Sequence, residues 1–172
     1  MLRNVFKSAM LALVMLGSLA APAALAARGD VELLQSYIGN WKGRGTLTGG
    51  DSESVVCRLT LSPGNDDKVN YSGKCAMAGT NVAVNGTLLY NEAKARYEAA
   101  MTSNVTFTGL AIGKKQGNAV VFNLREQNKD ENGEPLTITA DIVLKPEAIS
   151  VAFKVIFNNS GKTLAAQVPF TR

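Results

Sequence analysis

The chain predicts an all-β fold, an antiparallel up-and-down β-barrel of about 8–10 strands preceded by a short N-terminal helix. Three observations carry this reading. From Trp41 to the last residues, apolar positions alternate with polar ones in run after run. Turn residues such as Pro63-Gly64-Asn65-Asp66 bound the runs. The two cysteines, Cys57 and Cys75, lie symmetrically about that turn, so pairing its flanking strands antiparallel sets one thiol opposite the other.

The N-terminal stretch stands apart from the fold. Arg3 and Lys7 open it, and an apolar run from Ala9 to Ala20 follows, broken only by Gly17 and Ser18. Ala24-Leu25-Ala26 then forms a small-x-small cleavage pattern. These are the parts of a secretory signal peptide over residues 1–26, and they place the mature protein in the periplasm or outside the cell. The apolar run is short for a membrane span and lacks stop-transfer charges, so no span is expected after cleavage. Residues 27–172 are one domain's worth of chain, enough to bury a core.

Charge excludes one class of partner. The whole chain has 18 Lys+Arg against 14 Asp+Glu; without Arg3 and Lys7 the balance is 16 against 14, a net of +2. That is too little for a nucleic-acid binder. An even cysteine count in an exported chain points to one disulfide. With no histidine and only two cysteines, no metal site or cofactor is implied.

The elements follow in order. Asp30 to Tyr37 reads as the helix, with Val31, Leu34 and Ile38 on one stripe, Asp30 as its cap and Gly39 as its stop. The first strand runs from Trp41 to Leu47. The second carries Val55, Cys57, Leu59 and Leu61, and the third Val69, Tyr71, Gly73, Cys75 and Met77. Val82 to Tyr90, Tyr97 to Met101, Val105 to Ala111 and Val120 to Leu124 are the next four. Ile138–Leu144, Ile149–Phe157 and Leu164–Phe170 complete the set. Residues of opposite parity, such as Arg58, Thr60, Asn70, Lys74, Asn123 and Arg125, are polar. A meander this long closes, because twist and open edges disfavour a flat sheet; a two-sheet sandwich is the alternative.

Catalytic chemistry finds no footing. Without histidine, neither a Ser-His-Asp nor a Cys-His arrangement exists, and no carboxylate falls on the inward face. The protein is therefore expected not to be an enzyme. The acidic loop Asn128–Glu134 lacks calcium-loop spacing: six residues past Gly133 stands Thr139, not glutamate. Inward glycines at 43, 45, 73, 86 and 109 either relieve crowding at strand bends or leave an internal cavity. If the interior holds a ligand, its candidate lining is Tyr71, Tyr90, Tyr97, Met101, Phe107, Phe122 and Phe153. The inward face carries no charge, so that ligand is neutral or leaves a charged head at the mouth.

Gly39-Asn40-Trp41 directly after a short helix resembles the start of the calycin superfamily, the lipocalins and fatty-acid-binding proteins. The resemblance implies that Trp41 plugs the closed end, that Arg172 packs on its ring, and that a small apolar ligand is the partner. The early tryptophan with one disulfide between neighbouring strands also resembles bacterial periplasmic inhibitors of metalloproteases. That resemblance implies a protease partner, met by a free N-terminal arm. An empty apolar cavity would favour the ligand, and a filled barrel the protein partner.

Overall fold

The structure is a computed structural model that describes residues 21–77, 79–105, 108–130 and 132–172. Alternation of apolar and polar residues is realised as ten strands: β1 Gly39–Thr48, β2 Glu53–Pro63, β3 Val69–Met77, β4 Thr80–Asn91, β5 Arg96–Ser103, β6 Thr108–Gln116, β7 Ala119–Lys129, β8 Pro135–Lys145, β9 Ala148–Phe157 and β10 Thr163–Thr171. Each pairs antiparallel with its sequence neighbours, and β10 returns to β1, so the sheet is a closed barrel without edges. The sandwich alternative is thereby set aside.

The β2–β3 hairpin has the register that the turn and the cysteines imply. Cys57 is the direct partner of Cys75, and the two are joined in a disulfide with their Cα atoms 4.1 Å apart. Closure at β1–β10 is less regular. Gly43 pairs with Phe170 and Thr46 with Gln167, while Pro169 lies in the gap between them with no N–H to give. Here the backbones come so close that a Cβ on Gly45 would fall on the carbonyl oxygen of Gln167.

The helix differs from expectation. It runs from Ala21 to Gln35, so Asp30 lies within it and does not cap its start. Local pattern made a short polar residue before an apolar stripe look like a cap; its true partners are 67 and 85 residues away. Of the expected leader, residues 1–20 lie outside the described residues, and 21–26 belong to this helix, α1. No helix among the described residues is long and apolar enough to cross a membrane.

Helix α1 and the turn after it cover one end of the barrel. Leu34 and Tyr37 are fully buried there, and the Tyr37 hydroxyl donates to the carbonyl of Asn118 in the β6–β7 turn at 3.0 Å. Burial pushes the Tyr37 phenol up to about 12, so it remains a donor across the ordinary pH range. The opposite end, ringed by the turns β1–β2, β3–β4, β5–β6, β7–β8 and β9–β10, has no such cover among the described residues.

Candidate functional site

The two ends of the barrel are built differently. At the covered end Trp41 is 1% exposed; its Nε1 donates to the Tyr37 carbonyl at 3.1 Å. The Arg172 guanidinium stands 4.7 Å from the Trp41 ring centroid and donates through Nη2 to the Ser36 carbonyl at 2.8 Å. The last residue of the sequence thus ties the helix exit to the start of β1, with its cation on the π face.

Beside this plug lies a polar cluster in which the buried Asp30 and Tyr97 meet the exposed Lys115. Asp30 Oδ1 accepts from the Tyr97 hydroxyl at 2.7 Å and from Lys115 Nζ at 2.9 Å. Burial alone would raise the Asp30 carboxyl; the Lys115 and Tyr97 hydrogen bonds and the lysine charge outweigh it, so it lies below the ordinary carboxylate range. Burial first, and then the Asp30 hydrogen bond, push the Tyr97 phenol well up, which keeps it a donor. Nothing in local sequence pattern marks this cluster, because α1, β5 and β6 meet only in the folded barrel.

The interior above the plug is not filled. Inward residues near the covered end are sealed, with Val120 and Phe122 at 0% and Ile149 at 1% exposure. Nearer the uncovered end, inward Val84 on β4, Ile138 and Ala140 on β8, and Val151, Phe153 and Val155 on β9 are only half-buried, because solvent reaches them through that end. The space they enclose has a volume of about 450 Å³. Its wall includes Leu59, Met77, Val84, Met101, Ile142 and Phe153, together with both half-cystines. A volume of this order is typical of small-molecule sites.

The candidate lining residues divide between the two ends. Tyr71, Met101, Phe122 and Phe153 line the cavity. Tyr90 and Tyr97 do not; they form an edge-to-face pair with ring centroids 5.1 Å apart below it, beside Asp30. Inward parity put all of them in the barrel, but parity does not give height along the barrel axis. Tyr90 and Tyr97 flank the β4–β5 turn, which lies at the covered end. Phe107 falls outside the described residues.

The glycines divide too. A Cβ on Gly86 would fall on the Ala100 carbonyl and the Tyr71 hydroxyl, and one on Gly43 would meet Phe170 Cδ1 at 2.7 Å, so these two let chains approach. Gly113, which parity reading passed over, faces Phe122 in the same way. Gly73 is different. A Cβ there would find Leu59 Cδ1 at 3.6 Å and nothing closer, and the residue lines the cavity. A methyl would fit there at ordinary contact distance. The Tyr71 hydroxyl beside it donates to the Ala100 carbonyl at 3.0 Å and is not free to serve a ligand. Burial pushes this phenol well up.

Asp130 in the β7–β8 loop turns its Oδ1 back onto the N–H groups of Asn132 and Glu134, at 2.9 and 2.8 Å. No group of three or more metal-ligating side chains occurs among the described residues.

No family model matches the chain, and no curated protein matches its sequence. Solved structures match by shape. Rv2717c from M. tuberculosis is 12% identical with a TM-score of 0.62, over 88% of this chain and 98% of its own. The S-type phycobiliprotein lyase CPES from Guillardia theta is 10% identical with a TM-score of 0.51, over 82% and 90%. A de novo designed fluorescence-activating β-barrel is 16% identical with a TM-score of 0.41, over 81% and 95%. At these identities the first two show the fold alone, an antiparallel β-barrel that spans nearly the whole of each matched chain.

Proposed function

We propose that the protein is an exported, non-enzymatic binding barrel that holds a small apolar or neutral molecule in its open half. The observation that carries the reading is the unfilled, uncharged cavity of about 450 Å³ above a plugged floor. Apolar wall surface exposed to water in the empty protein is a standing driving force for an apolar guest, on the order of 25 cal/mol per Å² removed from water. The polar atoms nearest the cavity floor are already committed within the protein, so the pocket selects by shape and by absence of charge. Export is carried by the leader pattern in residues 1–26.

The protease-inhibitor alternative calls for an N-terminal arm free to enter a cleft. From Asp30 to Trp41 that segment is fastened to the barrel by Asp30, Leu34, Tyr37 and Trp41, which favours the cavity as the working part.

Native mass spectrometry of the protein purified from its own host tests the proposal. The expected spectrum shows the mature chain with a discrete extra mass that disappears under denaturing conditions. A spectrum of bare chain alone, from protein that also fails to take up an added apolar probe, would overturn it.

A further inference from the structure

The geometry points to a charge filter at the mouth: the barrel accepts apolar molecules whose polar end is neutral or cationic and disfavours carboxylate-headed ones. This rests on the cavity being a ligand site, and it adds which ligands enter.

The cavity wall is apolar apart from Thr80 and Ser103, and Arg58, which also borders it, is an exposed residue of outward parity. Cations near the wall, such as Arg58 on β2, are exposed on the outer face, and the Tyr71 hydroxyl is taken by Ala100. An unpaired carboxylate inside would be very unfavourable, so any head group must stay among the mouth loops. Among the described residues, those loops and their flanking strand ends carry Asp51, Glu53, Asp130 and Glu134 against Lys129 and Lys162. The ion pairs among the described residues lie elsewhere. Arg28–Glu32, Lys68–Asp66, Lys94–Glu98, Arg96–Glu98 and Lys115–Asp30 all belong to the helix or to strands and turns of the covered end. Asp30, Asp66 and Glu98 at the covered end thus have cationic partners, whereas none of the acids described at the mouth has one; Asp130 and Glu134 accept only from uncharged N–H groups. A low-dielectric apolar cup behind them focuses their field onto its entrance. The acids form no site of their own; they act on whatever head group the cavity leaves beside them.

The test uses tail-matched competitors against a neutral fluorescent probe, 1-N-phenylnaphthylamine, at neutral pH and low salt. Decanol and decyltrimethylammonium are expected to displace it, and decanoate about five- to tenfold more weakly, as a few screened charges near the entrance would impose. High salt, or the double variant Asp51→Asn/Glu53→Gln, should narrow that gap; both residues are exposed, so folding is not at stake. Decanoate competing as well as decanol would overturn the filter and leave ligand binding standing. A gap that neither salt nor the variant moves would also overturn it. A probe that never binds would remove the cavity reading and the filter with it.

Discussion

At the residue scale, the two glycines Gly73 and Gly86 separate cavity from structure. Both face inward, yet only Gly73 has room for a side chain. Gly73→Ala is expected to be neutral or to stabilise by up to about 1 kcal/mol, since glycine is a poor strand residue. Gly86→Ala should destabilise by about 1–3 kcal/mol, because the new methyl meets backbone that cannot yield. Urea denaturation of the pair checks the contrast. Trp41 is the other decisive residue. Trp41→Ala should lower stability by about 3–5 kcal/mol through lost burial and a residual hole. Arg172→Ala should lower it by about 0.5–2 kcal/mol, the scale of a cation–π contact. Thermal melts report both, and the fluorescence of Trp41, the single tryptophan, reports Arg172→Ala. Residue-scale reading of the sequence was uneven. The position of Trp41 after Gly39, and the parity of Tyr71, Met101, Phe122 and Phe153, were legible because they are local. Asp30 was misread because its partners Tyr97 and Lys115 arrive from distant strands.

At the element scale, the β2–β3 hairpin and α1 each hang on one non-repeating feature. The hairpin has the Cys57–Cys75 bond, closing a loop of 18 residues. Replacing both cysteines by alanine should lower stability by about 2–3 kcal/mol, and the barrel should keep its far-ultraviolet spectrum because the ladder on either side is intact. This hairpin was readable in advance, since turn, spacing and alternation all fix the same register. The helix α1 is held by Asp30, whose carboxyl is depressed in the folded state. A depressed folded value contributes stability above the unfolded carboxyl pKa, and that contribution is lost as pH falls through the folded one. Acidification below the ordinary carboxylate range should therefore loosen α1, and Asp30→Asn should flatten that part of the stability-versus-pH curve. Melting temperatures across the acid range, for both proteins, measure it. An unchanged slope in the variant would mean that other carboxylates set the acid limit.

At the scale of the whole molecule, closure and polarity along the barrel axis decide what the protein can do. Alternation over ten strands made closure legible, because only a closed meander of that length leaves no edge, while the sandwich it could also have formed keeps some. The sequence left open whether the interior is filled. That depends on which glycines bear against backbone and how far up the axis each aromatic sits, and neither is a property of parity. The structure answers with a sealed floor of Trp41, Tyr97 and Phe122 under an apolar space of about 450 Å³. The most direct test is an equilibrium titration of 1-N-phenylnaphthylamine into the protein and into Gly73→Leu, whose side chain would project from the cavity wall beside Leu59. The account predicts saturable one-to-one binding with blue-shifted emission, weakened at least about tenfold, or 1.4 kcal/mol, in the variant at undiminished thermal stability. No saturable binding to the natural chain, or equal affinity in both proteins, would contradict it.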